Sequence, residues 1–333
     1  MTGTTTPHDT VRLGKTGPAV FPIGLGCMGL SGMYGETNDD SGIATIQAAI
    51  DRGVTLLDTG DFYGMGHNEL LIARAIRGRR DKVQLSVKFG ALRGPDGSWV
   101  GIDTRPAAVS TFAAYSLKRL GVDVIDVYRP ARLDPQVPIE DTIGAIAELV
   151  RKGYVRHIGL SEVGPETIRR AARVHPIADL QIEYALISRD PERKLFPVLD
   201  ELGIGATLYG VLSRGLLGGR APSGQSDFRS RLPRFSQENQ ARNARVVDAL
   251  QGFAAERGMT KGQVAIAWAR AKRPSFVPLI GARTLAQLDD ALGALEHSLS
   301  ADDLAKLEAL IPADAIAGTR YDAHQMAMLD SER

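Results

Sequence analysis

Asp58, Tyr63 and Lys88 stand close together in the first third of the chain, each at or just past the end of a short apolar run. The first run closes as Leu56-Leu57-Asp58-Thr59-Gly60-Asp61-Phe62-Tyr63-Gly64, the second as Ser86-Val87-Lys88-Phe89-Gly90. A lysine at the end of a buried strand needs a counter-charge, because an unpaired ammonium is costly in a low-dielectric interior. Asp58 on the neighbouring run can supply it. A cation beside a phenol favours the phenolate and lowers a tyrosine pKa from its usual value near ~10. Tyr63 beside Lys88 would then serve as a general acid or base near neutral pH. The same residues also fit a strand-end ion pair with an unrelated tyrosine nearby, and these three alone do not choose.

The elements that must hold these groups are legible as eight apolar runs: Val20 to Gly26, Val54 to Asp58, Val83 to Lys88, Val124 to Tyr128, Val155 to Leu160, Asp179 to Glu183, Ile204 to Leu208 and Phe276 to Ile280. Most are continuous rather than alternating, as expected of strands covered on both faces. Between them Ile43, Ile46, Ile50 and Val54 recur at helical spacing, as do Val109, Phe112, Leu117 and Leu120, then Ile143, Ile146, Leu149 and Val150. Gly53, Gly121, Gly153 and Gly203 mark helix ends. Eight strand–helix units predict an α/β fold, a (β/α)8 barrel, whose neighbouring strands deliver side chains to one mouth. Val11 to Phe21 predicts a hairpin ahead of the barrel, and Gly215 to Asn243 a long polar insertion after strand seven that either folds over a ligand or stays solvated. The expected division is a disordered tail at 1–10, one barrel domain at 11–321 and a C-terminal tail at 322–333. Gly24-Leu25-Gly26-Cys27-Met28-Gly29 imitates a dinucleotide-binding glycine motif, but loop residues follow it where a helix should open. Its glycines are expected to give a tight turn beside a ligand.

Composition narrows the partners. Among 333 residues, 40 Lys plus Arg against 39 Asp plus Glu leave a net charge of +1, with no electrostatic pull toward nucleic acid or an anionic membrane. No apolar run approaches the roughly 20 residues of a membrane span. The polar stretch Met1 to Thr10 lacks a signal-like apolar region, which predicts a cytoplasmic protein. One cysteine, Cys27, excludes an internal disulfide, and six scattered histidines predict no metal. A monomer or weak homo-oligomer is expected.

Taken in order, four segments resemble the aldo-keto reductase superfamily, and the resemblance covers about Val11 to Tyr321. Asp58-Thr59-Gly60-Asp61-Phe62-Tyr63-Gly64 is similar to the family's D-T-A-D-x-Y-G, and Val87-Lys88-Phe89-Gly90 to its T-K-x-G. Arg156-His157-Ile158-Gly159-Leu160-Ser161-Glu162 is similar to R-x-I-G-[VL]-S-[NE], and Gln181-Ile182-Glu183-Tyr184 to Q-x-E-Y. The resemblance implies NADPH-dependent reduction of an aldehyde or ketone, or the reverse. Tyr63 would be the proton donor, Lys88 its pKa-lowering neighbour and Asp58 the residue holding Lys88. Ser161 and Gln181 would bind the nicotinamide carboxamide, with Glu162 beside them, and Tyr209 would stack on the ring. Leu208-Tyr209-Gly210-Val211-Leu212-Ser213-Arg214-Gly215 resembles the pyrophosphate segment Y-S-P-L-x-R-G and departs from it at Gly210 and Val211. Gly210, Leu212 and Arg214 would make its contacts. Gly281, Arg283 and Gln287 would take the adenosine side, and the Arg283 fork suits a phosphate, favouring NADP over NAD. Ala291 stands where an asparagine is usual.

One departure bears on catalysis. The family's D-L-Y-x-x-H-R-x-D appears here as Asp126-Val127-Tyr128-Arg129-Pro130-Ala131-Arg132-Leu133-Asp134, so Ala131 holds the histidine position. A methyl group cannot polarise a carbonyl. Tyr63 and Lys88 could suffice with a water, another residue such as His157 or Arg129 could substitute, or the chain could be a nucleotide-binding regulatory protein with little turnover, as are the family's potassium-channel β subunits. A Schiff-base lysine at Lys88 is a further rival that its pairing with Asp58 disfavours. Cys27, Met28, Tyr34, Phe62, Phe89 and Ala131 are expected to line the substrate pocket. Trp99 could join them, Arg229, Arg231 and Arg234 could reach phosphates, and Gly318-Thr319-Arg320-Tyr321 resembles a C-terminal segment that packs near the site.

Overall fold

Eight parallel strands close into a barrel in the computed structural model, which describes residues 9–222, 224 and 227–333. They are β1 (Gly24–Gly26), β2 (Leu56–Gly60), β3 (Gln84–Phe89), β4 (Ile125–Pro130), β5 (Val155–Ser161), β6 (Ile177–Glu183), β7 (Gly205–Tyr209) and β8 (Val277–Ile280), paired in chain order with β8 against β1. Surrounding helices include α1 (Asp39–Asp51), α2 (His67–Ala75), α3 (Pro106–Leu120), α4 (Ile139–Arg151) and α5 (Pro165–Val174). α3 starts on Pro106 at its first turn and stops on Gly121, left-handed at φ 65°. Strand backbones bury both faces, which is why their sequences run apolar without alternating.

The run Val20 to Gly26 divides. Val20 belongs to the antiparallel hairpin Val11–Arg12/Ala19–Val20, and β1 begins only at Gly24. Pro22 lies between them and offers no N–H to a ladder. The hairpin plugs the bottom of the barrel, where Leu13 and Val20 pack on Leu56, Val277 and Leu279. Gly24 is a matter of packing rather than of a turn: a Cβ there would come within 2.6 Å of Leu279. Of the expected tail at 1–10, residues 1–8 lie outside the described residues.

Both long excursions at the mouth fold back on it. The insertion after β7 turns helical at Gln237, so its helix (Gln237–Ala255) begins inside the expected loop that ended at Asn243. Phe228 N donates to Met33 O across the mouth at 3.3 Å. Residues 322–333 are no loose tail. They contain a short helix, Ala323–Ala327, and the Asp330 carboxylate accepts from Gly164 N at 2.7 Å. After β3, Ala91–Arg93 pairs with Trp99–Ile102 as a small hairpin that carries Trp99.

Candidate active site

Parity along β2 and β3 turns Asp58 and Lys88 into the barrel, with Gly60 level with Lys88 in the register. Lys88 donates to Asp58 Oδ1, while Asp58 Oδ2 accepts from Ser86 Oγ at 2.7 Å and Gln181 Nε2 at 2.8 Å. Both members of the ion pair are almost fully buried. Burial lowers the Lys88 pKa, and the Asp58 charge opposes that shift. Tyr63 sits just past β2 with its ring edge-on to Phe62, the Lys88 ammonium 5.1 Å from the ring centroid.

The Tyr63 phenol corrects one expectation. Burial first, then the Asp58 charge, raises its pKa well above the ordinary value, and no net lowering from Lys88 results. Tyr63 is therefore fully protonated at physiological pH. Such a phenol can give a proton to a developing alkoxide, and it is poorly set to begin as a base.

The barrel interior holds a polar ring that the sequence only hinted at. Arg129, fully buried on β4, donates through Nη1 to Asp179 Oδ2 at 3.0 Å and Thr207 Oγ1 at 3.2 Å, and through Nη2 to Ser86 Oγ at 3.0 Å. Thr207 Oγ1 donates to Asp179 Oδ2 at 2.7 Å. Asp58, Lys88, Arg129 and Asp179 form a compact group of two anions and two cations. Gly159 on β5 lies between the β4 and β6 partners. A Cβ there would fall 2.8 Å from Asp179 Oδ1 and 3.1 Å from Arg129 Cζ.

Neither suggested substitute for the missing histidine reaches the mouth. Arg129 points inward, and Pro130 does not disturb that parity because it sits in register with Phe89 as the last residue of β4. His157 pairs in register with Val127, nearer the barrel bottom, among Asp126, Arg156, Asp179 and Arg12. Burial lowers its pKa. Ala131 itself is at the strand end, its N–H bonded to Phe89 O at 2.8 Å.

On the far side of the mouth two carboxylates gather three arginines. Glu162, left-handed at φ 53°, accepts both guanidinium nitrogens of Arg320, the Ser331 hydroxyl at 2.6 Å and the Tyr209 hydroxyl at 2.6 Å. Burial would raise Glu162, but Arg320 outweighs it and holds the carboxyl at about 2. Glu183 accepts from Arg214 at 2.9 Å and Arg234 at 3.1 Å, with Arg320 3.7 Å away. Arg229 is bound to Asp227, and Arg231 is exposed. Arg229 and Arg234 therefore carry local ion pairs rather than standing free for phosphate. Gly210 has a physical reason: at φ 69°, a Cβ would lie 3.0 Å from Glu183 Cγ.

The remaining expected site residues divide. Met28, Tyr34 and Phe62 are half-buried around the mouth, and Tyr34 O accepts from Arg283 Nη1 at 3.0 Å. Cys27 follows Gly26, which is level with Asp58, and is fully buried, its thiol donating to Leu25 O at 3.7 Å. Phe89 does not face the mouth. One residue past Lys88, it points outward and stacks on Tyr128 at 4.3 Å between centroids. Ser161 is buried at the end of β5, Leu212 is half-buried, and Gly281 is exposed after β8. Gln287 Oε1 accepts from Arg283 N at 2.9 Å. Sequence reasoning missed Ser86, Asp179 and Thr207, although Asp179 and Arg129 are the opposite charges in otherwise apolar strands and could have been matched by parity. Among the described residues no cluster of His, Cys, Asp or Glu could hold a metal ion.

Asp61, in the same segment as Asp58, is a second buried carboxyl. Its oxygens lie toward the Gly90 and Phe62 amides but complete no hydrogen bond, and burial followed by the Glu69 charge raises its pKa to about 7. In the unfolded chain an aspartate titrates near ~3.9. The contribution of Asp61 to stability is therefore full below about pH 4 and lost as pH rises through about 7. Asp61→Asn should gain stability relative to the parent between pH 5 and pH 8, read from urea midpoints. A constant difference over that range would reject the assignment.

The fold is a closed (β/α)8 barrel that carries Tyr63 and the Asp58–Lys88 pair at its C-terminal mouth, the end where barrel enzymes hold their active sites. The chain belongs to the aldo/keto reductase family, whose model matches residues 22–312. It is 40% identical over 318 residues to the probable aldo-keto reductase 1 of Glycine max, covering 93% of this chain and 91% of that protein. The structure of a glycerol dehydrogenase from Gluconobacter oxydans aligns with TM-score 0.83 at 28% identity, over 93% of this chain and 98% of that one. An aldo-keto reductase from Bacillus halodurans aligns with TM-score 0.78 at 25% identity, over 95% and 99%. The chain is thus an aldo-keto reductase family oxidoreductase, and no described helix is long and apolar enough to cross a membrane.

Proposed function

We propose that the protein reduces an aldehyde or ketone to its alcohol, with NADPH as hydride donor and Tyr63 as proton donor. The observation that carries this reading is the buried Tyr63 ring with the Lys88 ammonium 5.1 Å from its centroid, beside the Lys88–Asp58 pair. The bound nicotinamide would supply the hydride to the carbonyl carbon. Tyr63 Oη would give its proton to the oxygen as charge develops there, and the Lys88 ammonium would stabilise the phenolate left behind. Asp58, held by Ser86 and Gln181, keeps Lys88 in place.

Residues present fit such a cofactor best at its phosphate end. Among the described residues Ser213 Oγ is buried without a partner in the segment resembling a pyrophosphate grip, and the Arg283 guanidinium donates only to a backbone carbonyl, leaving most of its fork for a phosphate. Ser161, Gln181 and Tyr209 would hold the nicotinamide end, where the Tyr209 hydroxyl is already bonded to Glu162 and Gln181 to Asp58. Arg283→Gln should raise the KM for NADPH about tenfold and leave that for NADH within twofold, a tenfold change being one lost charge-assisted contact. Equal effects on both cofactors would reject Arg283 as the phosphate ligand.

Ala131, buried where the family carries a histidine, favours the regulatory reading as second choice. Steady-state NADPH oxidation over aldehydes, ketones and dicarbonyls, with Tyr63→Phe alongside, tests the two together. Tight NADPH binding with no turnover on any of them would support the regulatory protein.

A further inference from the structure

Arg132 is set apart from the other arginines of the mouth. Arg214, Arg229, Arg234 and Arg320 each have a carboxylate within 3.1 Å. Arg132 has no ion pair among the described residues, and its one hydrogen bond runs from Nη1 to Ala131 O at 2.7 Å. Its guanidinium lies 5.9 Å from the Tyr321 ring centroid. The groups that face it are the Tyr321, Tyr209 and Tyr63 phenols, the Glu162 carboxylate and the Arg320 guanidinium. Glu162 is already saturated by Arg320, Ser331 and Tyr209. A guanidinium with several donors to spare, in low-dielectric surroundings, is an anion site.

That guanidinium opens into a cavity. Trp99, Arg132, Tyr321, Gln325, Met328 and Leu329 line it. Trp99 and Tyr321 give two aromatic walls, Met328 and Leu329 apolar contact, and Gln325 Oε1 is buried there without a hydrogen-bond partner among the described residues. Arg132 follows the C-terminal end of β4, where Ala131 N donates to Phe89 O one residue past Lys88, so the cavity lies at the same end of the barrel as Tyr63. Ala131 precedes Arg132 just past the end of β4.

We propose that this cavity is the substrate subsite and that Arg132 anchors an anionic group on a flat aromatic carbonyl compound, such as a carboxylate on the ring. The aromatic body lies between Trp99 and Tyr321, the anion takes the Arg132 fork, and the carbonyl points to Tyr63. This rests on the reductase reading, whose failure the experiment separates from its own.

The probes are 4-carboxybenzaldehyde and the neutral methyl 4-formylbenzoate, reduced with NADPH by the full chain and by Arg132→Gln. The parent should favour the acid in kcat/KM by about tenfold or more, the scale of one charge-assisted contact. Arg132→Gln should erase that preference through KM for the acid and change the ester less than threefold. Arg132→Lys should recover part of it. A parent that prefers the ester, or a variant that loses kcat equally on both aldehydes, overturns the proposal; the second result would make Arg132 a carbonyl polariser. Calorimetric titration with 4-(hydroxymethyl)benzoate, with and without NADP, needs no turnover. Binding by the parent and its loss in Arg132→Gln would uphold the anchor even if no aldehyde were reduced, a failure that would count only against the reductase reading. No binding by the parent, or equal binding by both, would overturn the anchor itself.

Discussion

Tyr63→Phe is expected to lower kcat for carbonyl reduction by about 10²–10⁴-fold, the range that positioned general acids contribute. The substitution removes one oxygen and leaves the ring where it packs, edge-on to Phe62 and under the Lys88 ammonium. NADPH affinity should stay within twofold. The loss should appear equally in kcat and kcat/KM, because the proton moves only as the alkoxide develops. Since burial and Asp58 hold the phenol protonated, reduction by the parent should show no fall with rising pH until well into the alkaline range. Stopped-flow or steady-state NADPH oxidation from pH 6 to pH 9 measures both. Unchanged turnover in Tyr63→Phe would remove Tyr63 from the reaction.

Arg129→Met is expected to destabilise the fold by about 3–5 kcal/mol, the usual result of stripping one partner from a buried ion pair. Asp179 would be left fully buried without its guanidinium partner, and its Oδ1 already lacks a hydrogen-bond partner among the described residues. Thr207 alone would remain to it, because Thr207 Oγ1 donates to Oδ2. Arg129→Met with Asp179→Leu should recover most of the loss, since buried pairs replaced by apolar groups of similar volume are often neutral or better. Urea unfolding of the parent, both single variants and the double variant closes the cycle. If Arg129→Met costs less than about 1 kcal/mol, the pair is not the constraint that the geometry implies. The double variant should also turn over more slowly than the parent, because Ser86 loses the donor that orients it toward Asp58.

Chemistry at the ends of β2 and β3 could be read from the chain because strand ends, residue type and parity are local properties. Two apolar runs ending in Asp58 and Lys88 have to be brought side by side by a barrel that pairs strands in chain order. Eight runs with intervening helical periodicities likewise determine the architecture, and errors fell at boundaries such as Val20 to Gly26, where Pro22 interrupts the ladder. What required the tertiary structure is contact between groups far apart in the chain. Gln181 reaches Asp58 across 123 positions and Arg320 reaches Glu162 across 158. The sign of the Tyr63 shift was decided there too. Proximity to Lys88 in the sequence pattern argues for a lowered pKa, whereas burial in the folded chain, followed by the Asp58 charge, raises it. Residues 322–333 pack back on the barrel, where Gln325, Met328 and Leu329 line a cavity with Arg132, which has no ion pair among the described residues. Local pattern determines which groups a strand presents; only packing decides how much water they keep and which distant charge each one meets.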